Sequence, residues 1–329
     1  MKNIVILGAG GMGTLFGARL ITGGHPDVYL INNWPEYVEA VNKNGILFQN
    51  SEGTKAIPAR AYFCAEDLAR EMDGPAGLVI VFVKGFANKE AVTSARCITG
   101  PDTYFLTLQN GLGNPESIAE TGVVPPDHIF FGRTTEGGVM TEPGVVFHKA
   151  EGYNSETSIM PFKGDVTDTL TEIADMLCRC GIRTVIDKNI ETAIWEKVMM
   201  NCVGNSMAAL LRMSTKAMLE DEHGLPIAKM IAYEVAAVAQ AKGLPLTTET
   251  ADGIIDRLSR NDLQASTGKD VLSMRRTEID TLNGAISRLG KKYGVPTPAN
   301  DLLYYMISVL QNNYEKTWDL GHAPAECKH

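Results

Sequence analysis

What this 329-residue chain lacks narrows the field first. It has no excess of positive charge: 30 Lys and Arg stand against 39 Asp and Glu, a formal net charge of −9. Neutralising phosphates takes a clustered basic face, so a nucleic-acid partner is not expected. No apolar run approaches the roughly 20 residues needed to cross a bilayer, and the longest candidate, Leu78 to Val83, reads as a buried strand. The N-terminal run Ile4 to Leu7 is too short for a signal-peptide core and leads straight into glycines, which points to a cytoplasmic protein with no membrane partner. Cysteine is sparse and scattered, at positions 64, 97, 178, 180, 202 and 327. Only Cys178 and Cys180 are near neighbours, and no second Cys/His pair stands at zinc-ligand spacing. These read as reduced, buried thiols. No metal site is expected, and Cys327 and His329 fall in a tail expected to be disordered.

The length suits about two domains, each able to bury its own core, and 44% hydrophobic with 21% charged residues is ordinary for a globular protein. The first half alternates short β-rich runs with helical patterns, the signature of a parallel sheet wrapped by helices. Strands are expected at Ile4–Leu7, Val28–Ile31, Leu78–Val83, Tyr104–Thr107 and Ile129–Phe131, with Val145–His148 and Thr157–Met160 extending the sheet. Helices are expected near Thr14–Thr22, Pro35–Lys43, Lys89–Cys97 and Glu116–Glu120. From about Asp187 strand signals vanish. Long helical patterns follow at Ile190–Leu211, Ser214–Lys242, Thr248–Arg260, Lys269–Lys291 and Ala299–Lys316, separated by Gly/Pro breaks. The fold class expected is α/β: a doubly wound Rossmann domain over 1–186 and an all-helical domain over 187–329.

Gly8-Ala9-Gly10-Gly11-Met12-Gly13 follows the first strand and opens an amphipathic helix. A bare GxGxxG is weak evidence, but this context is what the mechanism demands. Gly8 allows a tight turn, Gly10 lets a pyrophosphate approach the backbone, and Gly13 lets the helix pack against the strand. The helix start then offers free N–H groups to the phosphates. The loop is expected to bind a dinucleotide. The end of the second strand, Asn32-Asn33-Trp34, leaves the cofactor open. It has no acid before Glu36 for a ribose 2′-OH and no base before Lys43 for a 2′-phosphate.

Ligands of such sheets sit beyond the carboxyl ends of the strands. Lys84 and the run Gln109-Asn110-Gly111-Leu112-Gly113-Asn114 fall there. For Lys84 a solvated surface lysine is an equal alternative, and turn chemistry alone explains Asn-Gly. In the second half, Lys197, Asn201 and Asn205 recur at i, i+4 and i+8, on one helix face. A solvent-facing stripe would carry several charges of mixed sign. This one has one cation and two amides among small apolar residues. A partly desolvated lysine loses proton affinity, which suits it to donate a proton near neutral pH. Glu278 and Ser266 are weaker candidates on and before a later helix, since a surface charge and an N-cap explain them equally well.

These residues match a known pattern. The chain resembles the ketopantoate reductases over nearly its whole length, through GAGGMG at 8–13, VK at 83–84, LQNGLGN at 108–114, PGVV at 143–146, WEKVMMNCVGN at 195–205, and Ser266 followed after eleven residues by the glutamate of TEIDTLNG at 277–284. The resemblance implies reduction of a 2-oxoacid, most simply ketopantoate to pantoate, by hydride from a nicotinamide cofactor. It implies that Lys197 is the general acid and that Asn110 positions it and contacts the nicotinamide. Asn201, Asn205 and Ser266 would bind substrate, and Glu278 with Lys84 would work at the cofactor ribose and active-site cleft. Gly8, Gly10, Gly11, Met12, Gly13 and Asn33 complete the expected cofactor contacts. NADP(H) is the family's expected cofactor. Asn33 stands where NADPH-using members carry Arg, and Trp34 is similar to a branch of NAD-dependent D-2-hydroxyacid dehydrogenases acting on branched 2-oxoacids, so NAD(H) stays open. A homodimer is allowed. A dinucleotide-sensing protein without catalysis is the remaining alternative, disfavoured by the intact Lys–Asn–Asn face.

Overall fold

The apolar runs of the first half assemble into a large sheet and a smaller one in a computed structural model of the chain, which describes residues 1–149, 155–260 and 266–317. The chain divides into two compact units, Met1–Ile190 and Glu191–His329. Cys327 and His329 lie outside the described residues.

The first unit holds strands β1 (Ile4–Leu7), β2 (Val28–Ile31), β3 (Ile46–Asn50), β4 (Gly53–Ile57), β5 (Arg60–Tyr62), β6 (Leu78–Val81), β7 (Tyr104–Thr107), β8 (Ile129–Thr134), β9 (Gly138–Glu142), β10 (Val145–His148), β11 (Thr157–Pro161) and β12 (Thr184–Ile186). Its helices are α1 (Gly11–Thr22), α2 (Pro35–Asn44), α3 (Ala65–Ala69), α4 (Asn88–Ser94), α5 (Asn114–Ala119) and α6 (Asp168–Arg179). The large sheet runs β12-β11-β8-β7-β6-β1-β2-β5. From β5 to β8 all neighbours are parallel, in the Rossmann order with its switch between β1 and β6. The strands β1, β2 and β6 are buried along their whole length, as expected where helices cover both faces.

Thr157–Met160 extends the sheet as expected, antiparallel to β8. One expectation is corrected. Val145–His148 does not extend it: β10 belongs to a second sheet, β4-β3-β10-β9. That sheet packs Phe48, Ile57 and Val146 into the same core as Leu15, Phe16 and Leu20 of α1. Helix α1 is thus covered on two sides, which accounts for its nearly continuous burial.

The second unit is helical: α7 (Ile190–Leu211), α8 (Thr215–Glu220), α9 (Gly224–Ala241), α10 (Thr248–Ser259), α11 (Ser266–Leu272), α12 (Asn283–Tyr293) and α13 (Pro298–Gln311). The expected helix Ser214–Lys242 is broken before Gly224, where an added Cβ would overlap the Met218 carbonyl oxygen. The expected helix Lys269–Lys291 is also two helices. Met274 adopts φ 51°, with Arg275 N–H bonded to Asp270 O at 2.8 Å and Met274 N–H to Val271 O at 3.0 Å. That is a Schellman termination built on a non-glycine residue. Glu278 therefore stands in the connection ahead of a 3₁₀ turn, Ile279–Thr281, and not on a long helix. Of the cysteines expected to be buried, Cys180 and Cys202 are, while Cys97 and Cys178 are exposed.

Candidate active site

Strand β1 delivers the chain into Gly8 at φ 97°, a conformation that favours glycine. An added Cβ there would overlap the Val83 main-chain nitrogen, so Gly8 also lets the loop lie against the end of β6. At Gly13 a Cβ would meet Gly8 O at 2.5 Å and Ile6 at 2.9 Å, the close helix–strand approach the motif requires. Gly10 differs: it is exposed, it precedes the first residue of α1, and an added Cβ would have nothing within 4 Å. Open space beside the unbonded N–H groups of a twelve-residue helix fits an approaching pyrophosphate. Gly11 and Met12 also serve the second sheet. Gly11 lies against Gly138, whose N–H donates to Met12 Sδ at 3.2 Å.

At the end of β2 the two asparagines have different tasks. Asn32 is committed to the loop: its Nδ2 donates to Ala9 O at 2.8 Å and its Oδ1 accepts from Trp34 N–H at 3.0 Å. Asn33 and Trp34 are exposed. Nothing charged leaves this strand end before Glu36.

Lys84 and Asn110 follow β6 and β7, adjacent parallel strands, and both are half-buried. Their loops are joined by buried amides. Thr107 Oγ1 donates to Gln109 Oε1 at 2.7 Å; Gln109 Nε2 donates to Val83 O and, at 2.6 Å, to Asn88 Oδ1. Asn88 Nδ2 donates to Asn114 Oδ1 at 3.0 Å, and Asn114 Nδ2 donates to Asn110 O at 3.0 Å. From the sequence, Asn32 and Asn114 stand only as members of polar runs with no role of their own, and Asn88 is not a candidate at all; an Asn at a loop or helix start carries no mark of a distant partner.

In the helical unit, Lys197 and Asn201 are half-buried and Asn205 is buried, on one face of α7. The helix is apolar on nearly every side, as a core helix must be. Asn205 Nδ2 donates to Ser266 Oγ at 3.2 Å, so two of the expected substrate contacts meet. Ser266 is the first residue of α11. Behind them a buried polar chain locks α7. Asn283, bonded to Ser206 and to Cys202 O, donates to Asn300 Oδ1 at 3.0 Å. Asn300 Nδ2 donates to Glu234 Oε2 at 2.8 Å, and the same carboxylate accepts the Ala299 and Asn300 N–H groups at the start of α13, each at 2.9 Å. Glu278 is buried next to Ile279, in the cluster with Ala209 of α7.

The chain as a whole has counterparts among known proteins. Residues 4–162 match the family described as ketopantoate reductase PanE/ApbA, and residues 189–311 match its C-terminal domain. A 2-dehydropantoate 2-reductase of Pyrococcus horikoshii is 30% identical over 318 residues, covering 94% of this chain and 98% of that one. The chain belongs to the ketopantoate reductase family. It is an oxidoreductase of that family, with a Rossmann domain and a helical C-terminal domain. Two solved structures are similar over 96% of the chain with a TM-score of 0.85: a PanE/ApbA family ketopantoate reductase from Ralstonia eutropha, 26% identical, and a D-mandelate dehydrogenase with NADH and anilino(oxo)acetate, 25% identical. No described helix is long and apolar enough to cross a membrane.

Proposed function

We propose that this protein reduces 2-dehydropantoate to (R)-pantoate in the cytoplasm, with Lys197 as general acid. The observation that carries the reading is the face of α7: one lysine and two amides in register, the second amide bonded to Ser266, on a helix that is otherwise largely apolar. Residues 1–186 serve as the dinucleotide-binding domain and 187–329 as the substrate domain. A bound nicotinamide dinucleotide supplies the hydride to C2 of the 2-oxoacid. Gly8, Gly10, Gly11, Met12 and Gly13 hold its pyrophosphate, Asn33 its adenosine ribose, and Lys84, Asn110 and Glu278 its nicotinamide half. Asn201, Asn205 and Ser266 bind the substrate and hold the carbonyl in reacting geometry. The Lys197 ammonium polarises the carbonyl oxygen and gives up its proton as charge develops there.

Replacing Lys197 by Met keeps length and helix propensity while removing the charge and the proton. A positioned general acid contributes about 10²–10⁴-fold, so kcat should fall by that order with the melting temperature and dinucleotide affinity kept. The wild-type decline at high pH, as the ammonium deprotonates, should disappear. More than about a tenth of wild-type kcat with an unchanged pH profile would overturn the assignment.

A second reading is favoured by Asn33 and Trp34 and by the likeness to the D-mandelate dehydrogenase: an NAD-dependent D-2-hydroxyacid dehydrogenase acting on branched 2-oxoacids. Initial rates with ketopantoate and simple branched or aryl 2-oxoacids, each with NADPH and NADH, separate the two. The chain is also proposed to form a homodimer through α13. Leu302, Tyr305, Met306 and Val309 are exposed at helical spacing, and residues 302–313 carry no charge in a chain of net charge −9. Val309→Glu should shift the sedimenting species to monomer; a wild type that is monomeric at micromolar concentration would rule the dimer out.

A further inference from the structure

We propose that Asn88 and Asn114 are positioning residues. With Gln109 they form a one-way amide relay that holds the loops carrying Lys84 and Asn110 as one piece and sets the Asn110 peptide for the nicotinamide end of the cofactor. The proposal rests on the reading above that Lys84 and Asn110 meet that half of the cofactor.

The direction of the relay is fixed at both ends by groups that can only accept. Gln109 Nε2 faces the Val83 carbonyl, so its Oε1 is left to take the Thr107 hydroxyl. The same NH₂ group gives its other proton to Asn88 Oδ1, which leaves the Asn88 NH₂ for Asn114 Oδ1. At the far end the Asn114 NH₂ faces the carbonyls of Asn110 and Gly111 at 3.0 and 3.4 Å. Every bond points the same way, an arrangement in which neighbouring bonds polarise one another.

Local structure does not account for the contacts of Asn88 with Gln109 and Asn114. Asn88 and Asn114 are each the first residue of a short helix, α4 and α5, near the position where asparagine commonly caps the helix, and neither helix has a side-chain cap. Asn88 turns instead to partners 21 and 26 residues away, and Asn114 joins Asn88 to the carbonyls of the turn just before its own helix. Asn88 is fully buried and Asn114 is 4% exposed, so a lost partner leaves an unsatisfied amide.

The consequence lies in the peptide that follows. A trans peptide directs its C=O and N–H to opposite edges. With the Asn110 carbonyl drawn toward Asn114, the Gly111 N–H points away from the relay. It donates to no acceptor among the described residues of the N-terminal unit. The relay thereby fixes the Asn110–Gly111 peptide plane just beyond the carboxyl end of β7 and leaves the Gly111 N–H for a ligand bound there. Glycine at 111 and 113, with φ 89° and 87°, permits the turn; the relay sets its rotation.

The test separates the two halves of the cofactor. Asn88→Ala and Asn114→Ala are compared with wild type for NADH and NADPH affinity, for kcat/KM, and for the affinity of ADP-ribose, which lacks nicotinamide. Each variant should lose about tenfold or more in kcat/KM for the reduced cofactor and in its affinity, with ADP-ribose affinity held within about twofold. The double variant should be little worse than the stronger single one, because either substitution breaks the same chain. If an Ala variant fails to fold, Asn88→Ser and Asn114→Ser carry the same comparison. Unchanged cofactor parameters would overturn the proposal, and so would equal weakening of ADP-ribose and NADH, the mark of a merely structural role. If Asn110→Ala and Lys84→Ala lower kcat/KM while the relay variants do not, the relay is wrong and the cofactor reading stands. If the wild type reduces no 2-oxoacid, the functional reading fails, and the NADH and ADP-ribose affinities still decide the relay.

Discussion

The three motif glycines should fail in different ways when each becomes alanine. At Gly8 the backbone has φ 97° and the new methyl would overlap Val83, with Phe82 C at 2.8 Å. A left-handed non-glycine residue costs about 1–2 kcal/mol and forced repacking about 1–3 more. The sum, about 2–5 kcal/mol, is a large share of the 5–15 kcal/mol typical of a domain. For a unit of this size it should lower the melting temperature by about 5–15 °C. Gly13→Ala should be destabilising too, through its 2.5 Å approach to Gly8 O, although its backbone is ordinary helix. At Gly10, φ is −73° and no atom lies within 4 Å of the new methyl. Alanine there should leave stability unchanged or raise it by about 0.4–1 kcal/mol by restricting the unfolded chain. Its methyl would instead occupy the space proposed for pyrophosphate, so NADH and NADPH affinity should drop at least about tenfold, or 1.4 kcal/mol. Thermal melts and cofactor-fluorescence titrations on the three variants are the assay. Gly10→Ala with wild-type affinity, or with a melting loss matching Gly8→Ala, would refute the division of labour.

Three further outcomes follow from the same geometry. With Asn32 committed to the loop and Asn33 uncharged, the kcat/KM preference for NADPH over NADH should fall below about a thousandfold; a ratio at or above that, roughly 4 kcal/mol, would mean a 2′-phosphate contact exists elsewhere. Ser266→Ala should raise KM for the 2-oxoacid and leave cofactor affinity nearly unchanged, whereas lost stability with normal kinetics would reduce Ser266 to a helix-start residue. Burial pushes the Cys202 thiol well up, so at pH 8 it should resist iodoacetamide in the native chain while exposed Cys97 is labelled. Its contribution to stability is complete below the unfolded thiol's pKa of about 8.5 and is lost as pH rises above it, since only the unfolded thiol then ionises readily. Rapid native labelling of Cys202 would show that α7 opens.

The parts of the fold legible in the sequence are those with a local physical cause. Four-residue apolar runs buried on both faces form β1, β2 and β6, and the apolar pattern of α7 matches the helix at both ends, Ile190 and Leu211. Strand β4 carries almost no apolar signal: four of its five residues are exposed, and only pairing with β3 makes it a strand. Strand β9 pairs with β10 and brings Gly138 against Gly11, more than a hundred residues away. The stop at Met274 lacks the glycine that usually announces one. Helix α6 is a different case, because its signals are local although no helix is expected there. Leu170, Ile173, Ala174 and Leu177 are buried at helical spacing, and Thr167 Oγ1 accepts the Leu170 N–H at 3.2 Å.

The same distinction runs through the candidate site. A glycine at a forced backbone angle and a lysine in register with two amides are local statements, so pattern reading reaches them. The groups that hold these residues in place are not local. Asn88 has meaning only beside Gln109 and Asn114, and Asn283 only beside Ser206 and Asn300. None of these asparagines is distinguishable in sequence from a turn or cap residue, because an amide is uncharged and equally at home in water. Their role rests on burial combined with complete pairing, and both are properties of the folded chain. Positioning side chains in this protein should therefore be sought among buried neutral amides, even where charged residues dominate the sequence signature. The cost of removing one should be sharpest where the relay ends on main chain, as at Asn110, since a peptide plane can turn only as a unit.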